Sequence, residues 1–294
     1  MPICEFEDIL KDFKIKHRVN PMCIPLIMPN STAAWISISL GTHGRSMQMC
    51  TACASGTDAV GMSYQSILNG SCNMAICGGN DYLVDSESIT LPSFEQLRAV
   101  TNADDGRSLP FSEEHKGFLF SEGAAGFLVL EELDHALARN AKIYAEITGY
   151  EYSCDAYNIV AMPESAEHIT IMMKKLLNGK KVDYYNAHGT GTILNDNTEA
   201  KMICEVFGDK ENQPAINSTK AFIGHTIGAS GAIEAIVCAD SIYNSKIHGN
   251  ICGTIMNNLN VSAESREIDI ERAVSASFGF GGHNAALMFE KFKL

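Results

Sequence analysis

Residues 46–70 read SMQMCTACASGTDAVGMSYQSILNG, and the order of residue types in this stretch decides the fold class. Residues 46–52 read as a strand that ends in small residues just before Cys53-Ala54-Ser55-Gly56. Beyond Gly56 the spacing turns helical, with Ala59, Val60, Met62, Ile67 and Leu68 available to one buried side and Asn69-Gly70 closing the run. Cys53 therefore stands where a strand gives way to a helix N-terminus, which offers unpaired N–H groups and a favourable dipole.

The alternation continues on both sides. Residues 74–77 are predicted to form a short buried strand stopped by Gly78-Gly79, and residues 124–130 a second, followed by Glu131-Glu132 and a helix of about one or two turns. Residues 143–150 are strand-like and 164–177 helical, and a strand over 182–185 delivers His188. Residues 215–218 repeat the pattern, delivering Lys220 and His225, before an Ala-, Ile- and Val-rich helix over 229–243. Strands near 274–278 and 285–289 flank Gly279-Phe280-Gly281-Gly282. Residues 31–40 support two readings, a strand from the alternation of Ile36, Ile38 and Leu40, or a helix capped by Ser31 and ended by Gly41. Short apolar strands between helices indicate an α/β fold with a mostly parallel sheet covered on both sides. Ala54-Ser55-Gly56 and Ala229-Ser230-Gly231 both open small-residue helices, an echo that fits a two-fold design.

At 294 residues and 46% hydrophobic, the chain has room for one large domain or two packed halves. Its 22 Lys plus Arg against 35 Asp plus Glu give a formal charge of −13, which argues against unspecific binding to nucleic acid or an anionic membrane. Lys11, Lys14, Lys16, His17 and Arg18 form a local basic cluster that reads as a solvated face. No run of 18 uncharged apolar residues and no secretory pattern is present, so a cytoplasmic protein without membrane insertion is expected. The ten cysteines lie partly inside apolar runs such as Met74-Ala75-Ile76-Cys77, and no disulfide framework is expected.

Four segments carry chemistry-bearing residues. Cys53 has small neighbours that let a bulky acyl chain approach the sulfur and reads first as a nucleophile; a buried structural thiol is the next reading, and Cys50-Thr51-Ala52-Cys53 admits a redox or metal reading. No second close Cys or His pair supplies further ligands, so no metal is expected. His188 sits in Asn186-Ala187-His188-Gly189-Thr190-Gly191-Thr192, a small-residue loop whose Thr190 and Thr192 offer donors and acceptors, although a lone histidine at a strand end also serves as packing. His225 follows Lys220 and Gly224 at another strand end, and two such histidines can converge at the carboxyl edge of a parallel sheet. Phe280 lies among glycines, which suits an anion-stabilising or gating turn or an aromatic plug.

In this order the segments resemble the β-ketoacyl-[acyl-carrier-protein] synthases and the related type II polyketide ketosynthases, over nearly the whole chain from about Arg18. The resemblance implies a thiolase-like layered αβαβα fold with pseudo-duplicated halves, the first shortened: residues 1–135 with the nucleophile and 136–294 with both histidines. Members usually begin about a quarter of their length earlier. The resemblance implies a decarboxylative Claisen condensation in fatty acid or polyketide synthesis, with Cys53, His188 and His225 as catalytic residues. It assigns the Cys53 and Phe280 N–H groups to an oxyanion hole, Phe280 to a gate, Thr190 and Thr192 to the pantetheine arm, and Arg18 to carrier docking. Lys220 is expected to pair with Glu199. No cofactor is bound to such an enzyme, the phosphopantetheine being carried by its acyl carrier protein partner. A homodimer, or a heterodimer with another ketosynthase-like chain, is expected. Ser108-Leu109-Pro110-Phe111-Ser112 and Ser121-Glu122-Gly123 depart from the family's usual runs. A noncatalytic or weakly active partner or chain-length subunit is the alternative reading.

Overall fold

The computed structural model describes residues 11, 13–17, 20–83, 89–256 and 258–293. Arg18 lies outside the described residues.

A five-stranded sheet organises the second part of the chain, in the order β3-β9-β8-β4-β5. Its strands are β3 (Glu146–Cys154), β4 (Tyr184–Asn186), β5 (Ala215–Asn217), β8 (Arg272–Gly279) and β9 (His283–Glu290). Side chains of β9 alternate between two cores: Ala286 and Met288 face one, Ala285, Leu287 and Phe289 the other. The first core is capped by helix Glu167–Leu177, whose Ile169, Met172, Met173 and Leu176 recur at helical spacing on its buried face. The second receives the helices Ser55–Leu68 and Ser230–Asn244, through residues such as Val60, Ala235, Cys238 and Ile242.

On the far side of that helix pair lies a second sheet, β1 (Met74–Tyr82) against β2 (Gly123–Glu131). The order of layers is helix, five-stranded sheet, helix pair, two-stranded sheet. Met74, Ile76, Phe127 and Val129 are exposed and share the outer face of this last sheet. A short antiparallel pair, β6 (Lys246–Ile247) with β7 (Arg266–Glu267), stands apart. Among the described residues no helix is long and apolar enough to cross a membrane.

Several expectations need correction. The main sheet is mixed: only β8-β4-β5 run parallel, while β3-β9 and β9-β8 are antiparallel, the latter as a hairpin closed by residues 280–282. β1 does not stop at Gly78-Gly79 but continues to Tyr82, and of its residues only Cys77 is buried. Its glycines serve close approach, since a Cβ on Gly78 would meet Gly126 O at 2.1 Å and one on Gly79 would meet Gly228 O at 2.5 Å. Residues 46–51 form no strand; they run largely exposed without a ladder partner among the described residues. Alternating residues make a strand only where another strand completes their hydrogen bonds. Residues 31–40 resolve as the helix Ser31–Leu40, ended by Gly41 at φ 64°.

Candidate active site

Three parallel strands deliver the site. His188 follows the carboxyl end of β4, Lys220 and His225 follow that of β5, and Phe280 follows that of β8. Cys53 comes from the other side, in a 3-10 turn Ala52–Ala54 that runs into the helix Ser55–Leu68. The two arrangements meet because Gly279 lets β8 pass against the turn: a Cβ there would stand 2.9 Å from Thr51 O and 3.1 Å from Cys53 N. Cys53, His188, His225, Thr190, Thr192 and Phe280 all line one cavity of about 120 Å³, which is mostly apolar.

Cys53 Sγ and His225 Nε2 are 3.2 Å apart, and both residues are buried. His225 Nδ1 accepts from Ile227 N–H at 3.3 Å and lies 3.0 Å from Ser230 Oγ. A backbone N–H can only donate, so neutral His225 carries its proton on Nε2, toward the sulfur. The His188 ring meets the His225 ring edge to face, with centroids 5.4 Å apart and planes at 87°, and His188 Nδ1 is buried without a hydrogen-bond partner among the described residues. Burial, reinforced by the Lys220 charge, holds both imidazoles well below the usual histidine range, so both are neutral at pH 7.

Burial also pushes the Cys53 thiol up to about 11. Against that work the Phe280 N–H, the Lys220 ammonium and the N–H of Cys53 itself. The resting sulfur is a thiol, with the N–H groups of Phe280 and Cys53 already directed at it.

Glu199 organises the His188 loop. From the helix Ile193–Phe207 its Oε1 accepts from Tyr185 OH at 2.7 Å and His188 N at 2.9 Å. Oε2 accepts from Gly189 N at 2.8 Å and Asn195 Nδ2 at 3.2 Å. Burial raises its carboxyl to about 7, opposed by these donors. The expected Lys220–Glu199 pair is therefore not formed. Lys220 Nζ lies instead 2.5 Å from Glu234 Oε1, and both are fully buried. Each carboxylate has found the donors nearest its own helix, and burial raises Glu234 to about 7 as well, more than Lys220 lowers it.

Asp196, one turn before Glu199, binds Gly191 N through Oδ1 and Phe111 N and His115 Nδ1 through Oδ2, tying the histidine loop to residues 111–115. Thr190 Oγ1 and Thr192 Oγ1 are 2.9 Å apart at the cavity wall. Phe280 packs near Phe94, with ring centroids 6.5 Å apart. Glu234, Ser230 and Asp196 stand outside the residues that the sequence singles out for chemistry. Glu234 left a signal, as the lone charge within Ala232-Ile233-Glu234-Ala235-Ile236-Val237.

Sequence comparison bears directly on this geometry. The profile described as Beta-ketoacyl synthase, N-terminal domain, matches residues 6–136, and that described as Beta-ketoacyl synthase, C-terminal domain, matches residues 144–253. A 3-oxoacyl-[acyl-carrier-protein] synthase 2 from Staphylococcus aureus is 38% identical over 287 residues, covering 94% of this chain and 69% of that protein. The chain belongs to the β-ketoacyl synthase family.

Solved structures agree in fold. The ishigamide ketosynthase/chain length factor superimposes with a TM-score of 0.89 at 30% identity, over 99% of this chain and 73% of that one. A ketosynthase complex with its type II acyl-carrier protein, bound to a hexaketide, gives 0.89 at 26% identity, over 94% of this chain and 70% of that one. The layered α/β architecture is that of the thiolase-like β-ketoacyl synthases, and the family's chemistry is Claisen-type condensation.

Proposed function

We propose that this protein performs a decarboxylative Claisen condensation between an acyl thioester and malonyl-[acyl-carrier-protein]. The observation that carries the reading is the convergence of Cys53 Sγ, His225 Nε2 and the His188 ring on one cavity, with the Cys53 and Phe280 N–H groups aimed at the sulfur.

In the first step Cys53 Sγ attacks the acyl carbonyl. The Cys53 and Phe280 N–H groups receive the developing oxyanion, and the proton of the thiol leaves with the pantetheine sulfur. The Nε2–H tautomer of His225 stabilises sulfur as an anion but cannot act there as its base. The Cys53 helix N-terminus contributes to the same stabilisation.

In the second step malonyl thioester loses carbon dioxide, and the electrons of the broken C–C bond pass into an enolate. His188 and His225, neutral and shielded from water, donate to the enolate oxygen. Its carbon attacks the acyl-Cys53 carbonyl; the new C–C bond forms, the C–S bond breaks, and the departing Cys53 thiolate takes a proton from solvent to restore the resting thiol. Thr190 and Thr192 hold the pantetheine arm, Phe280 gates the acyl pocket, and the Lys220–Glu234 pair and Glu199 order the histidines. The phosphopantetheine arrives on the acyl carrier protein; the reading needs no cofactor resident on the enzyme.

The same proposal divides the chain into halves 1–135 and 136–294 and expects an acyl carrier protein partner and a dimer, with itself or with a ketosynthase-like chain. Complexes of similar architecture support the partners: one holds a ketosynthase with its carrier protein, another a ketosynthase/chain length factor. The test is condensation by purified protein supplied with acyl- and malonyl-carrier protein, with and without such a partner chain. Release of a β-ketoacyl product that C53A abolishes supports the proposal. Carrier binding with neither acylation nor decarboxylation in any combination refutes it and favours a chain-length subunit.

A further inference from the structure

Thr51-Ala52-Cys53-Ala54-Ser55-Gly56 and Thr226-Ile227-Gly228-Ala229-Ser230-Gly231 fold into the same turn, each a 3-10 segment opening a long helix. In both, the second residue is left-handed, φ 50° at Ala52 and 47° at Ile227. In both, the Thr N–H donates to the Ser Oγ, at 2.9 Å in the first and 3.1 Å in the second. One turn carries Cys53 where the other carries Gly228.

The twins part company at the threonine hydroxyl. Thr226 Oγ1 lies 3.0 Å from Ser230 Oγ, whereas Thr51 Oγ1 donates to Asp58 Oδ2 at 2.5 Å. The residue in register with Asp58 in the second helix is Ile233, so only the copy with the nucleophile holds a carboxylate here. Asp58 is buried, and its Oδ1 accepts from Tyr150 OH on β3 at 2.7 Å. The Tyr150 ring lies against Gly61, where a Cβ would come within 2.2 Å of it. Tyr150 thus fixes Asp58 from the five-stranded sheet, and Asp58 fixes Thr51.

We propose that Asp58 is a positioning residue for Cys53: braced by Tyr150, it clamps Thr51 and so holds the left-handed Ala52 turn that aims Sγ at His225 and the Phe280 N–H. This rests on the reading of Cys53 as nucleophile. An alanine at positive φ is held against its own preference and needs partners on either side to stay there. Because Asp58 engages the Thr51 hydroxyl, Ser55 Oγ is left to donate to Ala52 O at 2.7 Å, closing the turn from inside. In the twin, Ser230 Oγ is occupied by His225 Nδ1 and both Thr226 groups, and that turn supports a histidine. Attack on a thioester is sensitive to small displacements of the sulfur, so a clamp on the preceding residues acts on rate more than on binding.

The test compares T51V, D58A, D58N and Y150F in the full chain. Its readouts are single-turnover acylation of Cys53 by an acyl-pantetheine thioester, the pH profile of Cys53 alkylation by iodoacetamide, and thermal unfolding. D58A and T51V should each lower the acylation rate constant about tenfold with half-saturation changed less than about twofold. Their alkylation curves should move to higher pH as the sulfur leaves the Phe280 N–H. The T51V/D58A double variant should be no worse than D58A, since the two act in series. D58N, which keeps the shape and an acceptor for Tyr150, should recover most of the loss. If D58A does not fold, T51V carries the same test, because it removes only a hydroxyl.

Loss of thermal stability with acylation rate and alkylation profile within about twofold of wild type would overturn the proposal. So would losses in T51V and D58A that multiply. Absence of acylation in wild type would sink the proposed function, while the alkylation profiles would still decide whether the clamp exists.

Discussion

Replacing Lys220 by Met tests the buried ion pair, and the structure sets both the size and the pH dependence of the result. Lys220 and Glu234 are fully buried with Nζ and Oε1 2.5 Å apart, and Glu234 Oε2 has no partner of its own among the described residues. Removing one member of such a pair costs about 3–5 kcal/mol, because the other charge is left without compensation. A carboxyl, however, can escape by binding a proton. With Lys220 present Glu234 is already raised to about 7 by burial, and Lys220 is what lowers it, so K220M moves it higher still. A group raised in the folded state contributes stability at low pH that is lost as pH rises toward its folded pKa. In wild type the carboxyl is half ionised near pH 7, and its contribution levels off as pH rises toward 8. In K220M the folded chain still holds the proton, and its stability falls by about 1.4 kcal/mol per pH unit. The gap between K220M and wild type should therefore widen by about 1 kcal/mol from pH 7 to pH 8. Urea unfolding at pH 6, 7 and 8 measures it. K220M/E234L, which removes both charges, should recover much of the loss, while K220M/E199Q should not. A gap independent of pH, or stronger coupling of position 220 to 199 than to 234, would refute the assignment of the pair.

Intact-mass analysis and peptide mapping after incubation with an acyl thioester should place the adduct on Cys53 alone, and C53A should abolish it; a stable adduct elsewhere that survives C53A would contradict the nucleophile. H188A and H225A should leave acylation more intact than malonyl decarboxylation, which is expected to fall by about 10²–10³ through loss of an enolate donor; equal abolition of both steps in folded protein would count against these roles. Cys53 alkylation should climb by about tenfold per pH unit between pH 8 and 10 without reaching a plateau, because burial raises the thiol to about 11, and a plateau below pH 8 would show a preformed thiolate. Decarboxylation should persist below pH 6.5, because burial keeps both histidines neutral there; the unfolded chain takes up those protons, so stability should fall as pH drops below 6.5, and an activity midpoint near 6.5 would contradict this.

What was legible in the sequence followed from local chemistry. The junction at Cys53 could be read because small residues, a helical run and Asn69-Gly70 all lie within 25 consecutive residues. His188, His225 and Phe280 could be placed at strand ends because each follows a short apolar run. Direction within the sheet could not be read so easily: β4, β5 and β8 are parallel while β9 is not, and a buried strand is apolar in either case. Residues 46–51 have the composition of a strand and no neighbour to pair with among the described residues. The resemblance implies Glu199 as the partner of Lys220, whereas packing gives it Glu234. Glu199 and Glu234 are both buried near the histidines, and which one meets the ammonium depends on where two helices point, a fact of packing that spacing does not encode.

The repeated turn shows how one piece of local structure supports two kinds of chemistry. In both copies a Thr N–H meets a Ser Oγ around a left-handed residue, so the backbone alone does not make a nucleophile. At Gly228 the equivalent position carries no side chain and its N–H is held by Asp81 Oδ2 at 3.1 Å, while Ser230 turns its Oγ to His225. That hydroxyl and the Ile227 N–H together fix the histidine that faces Cys53. At Cys53 the hydroxyl of Ser55 stays within its own turn, the Thr51 hydroxyl goes to Asp58, and the cysteine N–H remains free to point at the sulfur. The helices that follow pack so closely at their starts that a Cβ on Gly56 would meet Ala232 N at 2.7 Å, and one on Gly231 would meet Thr57 Oγ1 at 2.0 Å. Small residues at both helix starts are thus the condition for bringing one turn's sulfur within 3.2 Å of the imidazole that the other turn supports.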